Sequence, residues 1–243
     1  MTSDQHQNAR PEVQSATSSS AVSGSSLVTR HSSLFLASSN PGKLREFGEA
    51  AAARGVALEA MPGFAGLPAY VEDGLTFEEN ARKKAIYYSR HCTGWVFADD
   101  SGLCVDALGG APGIYSARFA GPQATDKENN ARLLAEIRQI EAQHLPQNAH
   151  TGGPHHLFNR AAHYLCVIAL AEAGRVLTVT EGRVDGVIID EPRGTGGFGY
   201  DPYFFYPPLG QTFAEISAEE KFAVSHRGAA FRKLLDFLCA QGK

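Results

Sequence analysis

A short apolar strand, followed by a polar loop and an amphipathic helix, constrains the fold of this chain more than any other feature. Residues 33–37 read Ser-Leu-Phe-Leu-Ala, which predicts a buried strand. Residues 38–43 form the loop, apolar side chains then recur at helical spacing over residues 44–51, and Gly55 ends the helix. Strand, loop and helix in this order are the usual beginning of an α/β domain.

Three capping boxes mark the starts of later helices. In each, a hydroxyl and a carboxylate three positions apart satisfy free backbone N–H groups. The pairs are Thr76 with Glu79, Thr125 with Glu128, and Ser217 with Glu220. We expect the second of these helices to end near Ile140. The C-terminal helix should present Phe231, Leu234, Leu235 and Leu238 on its apolar face.

Apolar runs in the middle of the chain predict further strands. Residues 95–98 predict a buried strand that ends at the acidic stretch 99–102, and residues 103–105 suggest another strand. Residues 164–171 and 176–189 predict the two strands of a hairpin. Strands and helices interleaved in this way predict an α/β fold.

Composition divides the chain into a tail, a domain and an insertion. Residues 1–31 are rich in Ser, Gln, Thr and Ala, which predicts a disordered tail because so few apolar groups cannot offset the ordering entropy. Residues 32–243 predict a single catalytic domain. Its stretch 143–160 contains histidines whose irregular spacing, without acidic or Cys partners, favours a solvated loop insertion over a metal site. These histidines are His144, His150, His155 and His156.

The overall charge and the cysteine pattern exclude several classes of protein. The formal net charge is -4, whereas a protein that grips a nucleic-acid backbone usually carries a basic face. The widely spaced cysteines form no CxxC pair, which favours free thiols in a reducing compartment. The chain also has no long apolar run and no signal-peptide pattern. We therefore expect a cytoplasmic protein that binds neither membranes nor nucleic acid.

Groups suited to phosphate and to a hard cation recur along the chain. The loop 38–43 places Gly and Lys before a helix, where backbone N–H groups favour an anion, although a plain turn explains this loop equally well. Asp99 and Asp100 follow a buried strand, and Glu72 precedes the helix that carries Lys84. Such carboxylates suit Mg²⁺, and a turn or capping role for the aspartates is the alternative.

Two further groups of residues suit a base and a phosphate. The loop 194–201 combines glycines, which let a ligand approach the backbone closely, with Phe198 and Tyr200, which could offer a ring face to a purine. The alternative is a glycine-rich surface turn. A cationic cluster near the last helix would by itself be a solvated face. It consists of Lys221, His226 and Arg227.

The order of six motifs along the chain is more specific than any one of them. They are Ser-Ser-Asn-Pro-Gly-Lys at 38–43, Thr-Phe-Glu-Glu-Asn-Ala at 76–81, Ala-Asp-Asp-Ser-Gly-Leu at 98–103, Leu-Gly-Gly-Ala-Pro-Gly-Ile-Tyr-Ser-Ala-Arg at 108–118, Gly-Thr-Gly-Gly-Phe-Gly-Tyr-Asp-Pro at 194–202 and Ser-His-Arg-Gly at 225–228. Together they closely resemble the inosine triphosphate pyrophosphatase family of non-standard purine NTP pyrophosphatases. The resemblance extends from about residue 33 to the C-terminus.

The resemblance implies a fold, a reaction and a cofactor. The family fold is a long bent mixed β-sheet flanked by helices, with two lobes and a central active-site cleft. Family members are homodimers that use Mg²⁺ to hydrolyse ITP, dITP and XTP to the monophosphate and pyrophosphate. Two alternatives remain, namely a pyrophosphatase that acts on another modified or pyrimidine NTP, and a non-catalytic nucleotide-binding protein.

The resemblance also implies roles for individual residues. Asp100 would accept the proton of the attacking water and, with Glu72, hold Mg²⁺. Lys84 would neutralise phosphate charge, and Asp99 would support the carboxylate cluster. The implied substrate-binding residues are Ser38, Ser39, Asn40, Pro41, Gly42 and Lys43 around the triphosphate, Ser101, Phe198, Gly199, Tyr200 and Asp201, of which Phe198 would stack on the base, and Lys221, His226 and Arg227, which would complete the pocket.

Overall fold

A mixed sheet of seven strands runs through the molecule, in a computed structural model that describes residues 33–144 and 160–241. The strands are β1 (Leu34–Leu36), β2 (Leu58–Ala60), β3 (Trp95–Val105), β4 (Ala161–Glu172), β5 (Arg175–Ile188), β6 (Phe204–Tyr206) and β7 (Gln211–Thr212). Their spatial order is β2-β1-β3-β4-β5-β6-β7. β1 pairs in parallel with β2 and β3, and every later pair is antiparallel.

Helices cover both faces of this sheet, which confirms the α/β prediction. They are α1 (Pro41–Ala52), α2 (Phe77–Tyr88), α3 (Asp126–His144), α4 (Ala218–Val224) and α5 (His226–Gln241). α2 packs on β3 and β4 over Val96 and Ala98, whereas α5 packs on β4 and β5 in the cluster that contains Phe97. Because neighbouring residues of a strand point to opposite faces, these two helices lie on opposite sides of the sheet.

A third hydrophobic cluster lies at the far end of the long strands and forms a second lobe. There Leu133 and Ile137 of α3 pack with Leu103 of β3, Val184 of β5 and Phe213, which follows β7. β3, β4 and β5 pass through both lobes. The sheet therefore joins a lobe built on α1, α2 and α5 to a lobe built on α3, with a cleft between them.

The strand predicted to end at residues 99–102 is longer than expected. β3 continues through Val105, so the prediction of a strand end at this point, and of a separate strand at residues 103–105, was wrong. The reason is that β4 pairs with β3 along this whole stretch. β1 is much shorter, since its last residue, Leu36, lies opposite Phe97. The acidic stretch thus lies in mid-strand, beside the point where β1 stops.

The predicted hairpin is confirmed. β4 and β5 pair antiparallel, and Ala173 and Gly174 form the turn with φ values of 49° and 80°. The C-terminal helix also buries its predicted apolar face, where each of the four side chains is at most 8% exposed. α3 extends beyond the expected end at Ile140, to His144.

Two of the three capping boxes form as predicted. At Ser217 and at Thr125, the N-cap backbone N–H binds the carboxylate three residues later, and the hydroxyl accepts the returning N–H. At the start of α2 the Thr76 hydroxyl accepts from the Glu79 N–H at 3.1 Å, but the Glu79 carboxylate binds the N–H of Leu75 instead. The Glu79 carboxylate therefore binds the residue before the N-cap and not the N-cap itself.

Two predicted segments lie outside the described residues, namely the N-terminal tail and all but the beginning of the histidine-containing insertion. The division into tail, domain and insertion stays a prediction. Within the described ranges, none of the helices has the length and apolar character needed to cross a bilayer. All four cysteines are free thiols, with Cys104 and Cys166 buried and Cys239 exposed.

Candidate active site

A cavity of about 300 Å³ opens between the two lobes, next to the point where β1 ends. Its size lies at the lower end of the range for small-molecule sites. Most of the residues singled out from the sequence line this cavity. They are Asn40, Lys43, Glu72, Lys84, Asp100, Ser101, Phe198, Gly199, Tyr200, Asp201, Lys221, His226 and Arg227.

The first loop contributes two side chains to the cavity and uses the rest of its residues to position them. The Asn40 side chain caps α1, since its Oδ1 accepts from the N–H groups of Gly42 at 2.8 Å and Lys43 at 3.2 Å. The Ser38 hydroxyl in turn accepts from the Asn40 N–H at 3.2 Å. Within the described chain, Ser38, Ser39, Pro41 and Gly42 are not part of the cavity lining, and their predicted contact with substrate stays a prediction.

The two adjacent aspartates of β3 point to opposite faces of the sheet. Asp99 faces α1, where its carboxylate pairs with the Lys43 ammonium at 2.7 Å and is almost fully buried. Burial opposes ionisation of this group, but the positive charges of Lys43 and Arg227 outweigh it and lower the Asp99 pKa. Asp99 therefore fixes Lys43 in place from behind the cavity, whereas Asp100 lines the cavity itself.

Lys84 lies between the two carboxylates predicted to hold metal. Its ammonium is 2.6 Å from Glu72 Oε1 and 3.7 Å from Asp100 Oδ1. Burial alone would lower the Lys84 pKa, but the nearby carboxylates raise it, so the side chain remains an ammonium. Arg118 approaches the other oxygen of Glu72 at 3.3 Å. Burial opposes ionisation of Glu72, and these two cations lower its pKa all the same.

Asp100 is held in a different electrostatic environment from its neighbour. Burial raises its pKa above the ordinary value, Glu72 and Asp99 act in the same direction, and Lys84 opposes them. Asn80 donates from Nδ2 to Asp100 Oδ2 at 3.0 Å. A carboxylate with a raised pKa is a stronger base, which suits a group that accepts a proton.

Asn80 also joins the two acidic segments. Its Oδ1 accepts from the Gly74 N–H at 2.8 Å, two residues after Glu72, while its amide nitrogen binds Asp100. The side chain is fully buried. Asn80 and Lys84 are four residues apart in α2, which places them on one face of the helix.

Glu72 and Asp100 together fit a magnesium ion that is shared with a bound phosphate. Mg²⁺ prefers oxygen ligands and is commonly held by one or two carboxylates together with substrate phosphates and water. Over residues 33–144 and 160–241, no group of three or more His, Cys, Asp or Glu side chains is arranged to hold a metal by itself. The donor set therefore fits an open site and not a closed protein cage.

The other end of the cavity is built around an exposed aromatic ring. Phe198 is 39% exposed, and Lys221 Nζ lies 4.4 Å and the Arg227 guanidinium 5.3 Å from its ring centroid. Gly197 and Gly199 flank it with φ values of 69° and 62°. Such φ values favour glycine because they are strained for residues with a Cβ.

The cationic cluster is buried, so the solvated-face alternative was wrong. Lys221 binds Asp201 at 2.5 Å, and Arg227 binds Glu46 at 2.8 Å. His226 stacks on Tyr164 with ring centroids 4.7 Å apart and an interplanar angle of 8°. Burial, together with the neighbouring cations, lowers the His226 pKa well below its ordinary value of 6.5, so the imidazole is neutral.

Asp201 and Tyr200 hold the aromatic loop from inside the protein. Asp201 accepts from the Phe198 N–H at 2.8 Å as well as from Lys221. Tyr200 is only 4% exposed, and its hydroxyl donates to the Ser116 carbonyl at 2.8 Å. Of the two aromatic residues in this loop, Phe198 is the one with a ring free to meet a ligand.

Comparison with known proteins agrees with this geometry. The model of the Ham1 family matches residues 34–237, which is most of the chain. The chain belongs to the Ham1 family. This confirms the resemblance found in the sequence motifs.

Individual relatives are similar over most of their length. The dITP/XTP pyrophosphatase of Geobacter sulfurreducens is 45% identical over 210 residues, covering 86% of this chain and 98% of the relative. That of Syntrophobacter fumaroxidans is 45% identical over 204 residues, covering 84% and 81%.

Solved Ham1 structures share the fold. The HAM1 protein from Coxiella burnetii superposes with a TM-score of 0.72 at 36% identity and covers 86% of this chain and 98% of its own. The nucleoside-triphosphatase, dITP/XTP pyrophosphatase of Mycobacterium abscessus superposes with a TM-score of 0.60 at 38% identity and covers 84% and 98%. The mixed sheet flanked by helices is thus the Ham1 fold.

Several lining residues of this Ham1 cavity were not identified from the sequence. They are Gly102, Ile114, Ser116, Ala117, Arg118, Asp126, Asn129 and Tyr164. Arg118 ends one of the six motifs, which was a signal for its importance. Asp126 begins α3 directly after the Thr125 cap, where it reads as an ordinary helix-terminal acid. Tyr164 gave no signal beyond that of a strand residue.

Proposed function

We propose that this chain hydrolyses the non-standard purine nucleoside triphosphates ITP, dITP and XTP to the monophosphate and pyrophosphate. The observation that carries this proposal is the division of one cavity into two chemically different ends. Glu72, Lys84 and Asp100 lie at one end, and the exposed ring of Phe198 lies at the other. Relatives that match over most of their length are dITP/XTP pyrophosphatases.

The acidic and basic end suits hydrolysis at the α-phosphorus. Attack of water there makes pyrophosphate the leaving group, and its charge must be stabilised. Lys43 and Lys84 line this end and would bind the phosphate oxygens. Asp100 lines this end and would accept the proton of the attacking water.

Mg²⁺ fits the same end. Glu72 and Asp100 would hold it, and the ion would neutralise phosphate charge when bound. Lys84 lies 2.6 Å from Glu72 and 3.7 Å from Asp100, and the negative charge of these two carboxylates supports the proposal of a cation at this end. Arg118 and Lys84 compensate the charge of Glu72 in the protein itself.

The other end suits a purine with a 6-oxo group. Phe198 would stack on the base, and Arg227 would supply hydrogen-bond donors. Its Nε is buried and has no hydrogen-bond partner among the described residues. Hypoxanthine and xanthine offer an acceptor at position 6, whereas adenine offers a donor, so ATP would leave such a donor unpaired. If Arg227→Ala discriminates between ITP and ATP as the wild type does, Arg227 is not the source of selectivity.

We also propose a homodimer, which rests on the family resemblance, and a cytoplasmic location, which rests on the free, widely spaced cysteines. Analytical ultracentrifugation across a range of protein concentrations measures the first, since a dimer gives twice the 26.0 kDa mass of the chain. The expectation that the protein binds no nucleic acid rests on its net charge of -4. An RNA-binding titration at low salt tests this expectation.

The deciding experiment measures the products released from ITP, XTP, dITP, ATP, GTP and dUTP, with Mg²⁺ and with EDTA. We expect fast, metal-dependent release of pyrophosphate from ITP, XTP and dITP, and slow release from ATP. Release of orthophosphate would refute cleavage at the α-phosphorus. Equal rates on all six substrates would refute the assignment of the Phe198 end as a purine site, and a preference for dUTP would indicate a pyrimidine pyrophosphatase.

A further inference from the structure

The loop that carries Phe198 has no helix or strand and contains several glycines. Residues 189–203, all described by the structure, connect β5 to β6 through turns and bends. Gly194, Gly197 and Gly199 adopt φ values of 78°, 69° and 62°. Glycine restricts the backbone least, so contacts from outside the loop are needed in addition to the hydrogen bond between the Phe198 N–H and Asp201 to fix the direction of the Phe198 ring.

The first turn of α3 supplies such contacts at the residue next to Phe198. The Gly199 N–H donates to Asp126 Oδ2 at 2.7 Å. The Gly199 carbonyl accepts from Asn130 Nδ2 at 2.9 Å. Both polar backbone groups of Gly199 are thus bound by side chains of α3. Asp126 and Asn130 are four residues apart, which places them on one face of the helix.

Asn130 is buried and held by a second hydrogen bond, whereas Asp126 is exposed. Asn130 is 6% exposed, and its Nδ2 also donates to the Asp126 carbonyl at 2.8 Å. A hydrogen bond to an ionised carboxylate is shorter and stronger than one between neutral groups, which fits the 2.7 Å distance at Asp126. Asp126 also lines the cavity.

We propose that Asp126 and Asn130 are positioning residues for the nucleobase. They fix Gly199, and through it they orient the Phe198 ring that would stack on the base. In the described part of the chain, their side-chain hydrogen bonds go to Gly199 and within α3. The end of the cavity with Lys43, Glu72, Lys84 and Asp100 is called the phosphate end, and the end with Phe198 is called the base end. Lys43 and Lys84 extend from α1 and α2, not from α3. This proposal adds detail to the proposed function. It rests on the proposed function, because only that function makes the site around Phe198 a purine site.

Asp126 has a second, purely structural effect that the test must separate. An acidic side chain in the first turn of a helix stabilises that helix through the helix dipole. Loss of this effect would weaken the whole domain, and with it both ends of the cavity. A positioning role would weaken only binding of the base.

The experiment measures binding of IMP, which carries a base, and of inorganic tripolyphosphate, which carries none, by calorimetry. For Asp126→Ala and Asn130→Ala we expect the affinity for IMP to fall about tenfold, as expected for loss of a hydrogen bond that fixes the ring. Affinity for tripolyphosphate should stay within twofold. In turnover of ITP, KM should rise about as much as the IMP affinity falls, with little change in kcat.

Two further variants separate the hydrogen bond from charge and from general effects on the helix. Asp126→Asn removes the charge and keeps an acceptor oxygen, so it should retain most of the IMP affinity. Lys127→Ala changes an exposed neighbour in the same turn and should bind both ligands as the wild type does. Thermal unfolding of all four variants shows whether the helix is intact.

The outcomes distinguish this proposal from the proposed function. Parallel loss of IMP and tripolyphosphate affinity in Asp126→Ala would overturn the positioning role, and so would unchanged IMP affinity in both alanine variants. Failure of the wild type to bind IMP would overturn it as well. A wild type that binds IMP but releases no pyrophosphate from ITP would refute the proposed reaction and leave the positioning role standing.

Discussion

The two ends of the cavity are built in different ways. At the phosphate end, charged side chains extend from α1, α2 and β3 and pair with one another, as Lys84 does with Glu72 and Lys43 with Asp99. At the base end, Phe198 extends from a glycine-rich loop whose shape depends on α3 and on Asp201. Helices and a strand therefore place Lys43, Lys84 and Asp100, whereas side-chain hydrogen bonds place the ring.

This difference implies that the two ends affect different kinetic constants. Charges that stabilise the leaving group act on every triphosphate, whatever its base, and their loss lowers kcat. A stacking ring acts equally in the ground state and the transition state, and its loss raises KM. Substitutions at the two ends should therefore separate into these two classes.

The largest effect is expected for Asp100→Asn at the phosphate end. The substitution keeps the shape of the side chain and removes both the proton acceptor and a carboxylate suited to Mg²⁺. We expect kcat/KM to fall by about 10³-fold to 10⁴-fold on ITP, XTP and dITP alike. Steady-state release of pyrophosphate at saturating Mg²⁺ measures this, and circular dichroism checks the fold.

The distinction between the two ends of the cavity would fail if Asp100→Asn lowered kcat/KM for one purine triphosphate and not for another. That result would mean that the carboxylate takes part in base selection, and the two ends of the cavity would not be separate in function. A fall of less than tenfold on all substrates would instead remove Asp100 from the reaction.

A smaller but still general loss is expected for Lys84→Met. Its ammonium lies 2.6 Å from Glu72 and 3.7 Å from Asp100, so the substitution removes a phosphate-binding cation and leaves two carboxylates facing each other. Removal of one group that stabilises transition-state charge typically lowers kcat by about 10²-fold to 10³-fold. The ratio of ITP to ATP turnover should not change.

Lys83→Met is the matched control for that prediction. Lys83 is the preceding residue of α2 and pairs with Asp73 at 2.8 Å, but its side chain is 41% exposed and lies outside the cavity lining given by the described residues. Exposed ion pairs contribute little to stability. If Lys83→Met lowers kcat as much as Lys84→Met does, the loss reflects the general charge of the helix and not a contact in the cavity.

At the base end, Phe198→Ala should act on affinity. Stacking of a base on an aromatic ring contributes about 1–3 kcal/mol, so we expect KM for ITP to rise by about tenfold to a hundredfold. Inhibition by tripolyphosphate should not change, because this ligand has no base. Phe198→Tyr keeps a ring and should restore most of the affinity. Equal loss of tripolyphosphate binding would show that the loop, and not the ring, had been damaged.

The sequence predicted contacts that depend on local spacing better than contacts that depend on tertiary packing. Asn80 and Lys84 are one helical turn apart, and Asp99 and Asp100 are neighbours, so local spacing alone brings them together. Arg118 and Tyr164, by contrast, reach the cavity only because β3 and β4 run on into the second lobe. Such contacts depend on tertiary packing, which no local pattern records.

The same limit explains one wrong prediction and one wrong alternative. β3 was expected to stop at its acidic residues because polar side chains usually end a buried strand, but pairing with β4 extends it. The cationic residues near α5 were expected to be exposed when taken alone. Carboxylates distant in sequence, Glu46 and Asp201, pair with Arg227 and Lys221 and make their burial tolerable.

The smallest expected effect is on stability, and it distinguishes the two ends by pH. His226, at the base end, has a folded-state pKa well below 6.5 because of burial and the cations around it. The unfolded chain therefore binds a proton below about pH 6.5 that the folded chain does not, so stability is complete above this pH and falls as the pH drops. For one such group, the free energy of unfolding changes by at most about 1.4 kcal/mol per pH unit. Glu72, at the phosphate end, has a folded pKa lowered from 4.5, so its contribution is lost only below about pH 4.5.

Acid should therefore weaken the base end first, and urea unfolding in EDTA between pH 7.5 and about pH 5 measures this. We expect His226→Gln to flatten the dependence of the unfolding free energy on pH over this window, whatever it does to stability at pH 7.5. Part of the slope should remain, because burial and Arg183 also lower the His163 pKa. His91→Gln changes an exposed histidine and should keep the wild-type slope. An unchanged slope in His226→Gln would mean that the imidazole gains its proton in the folded protein as readily as in the unfolded chain, and the base end would then be no more sensitive to mild acid than the phosphate end.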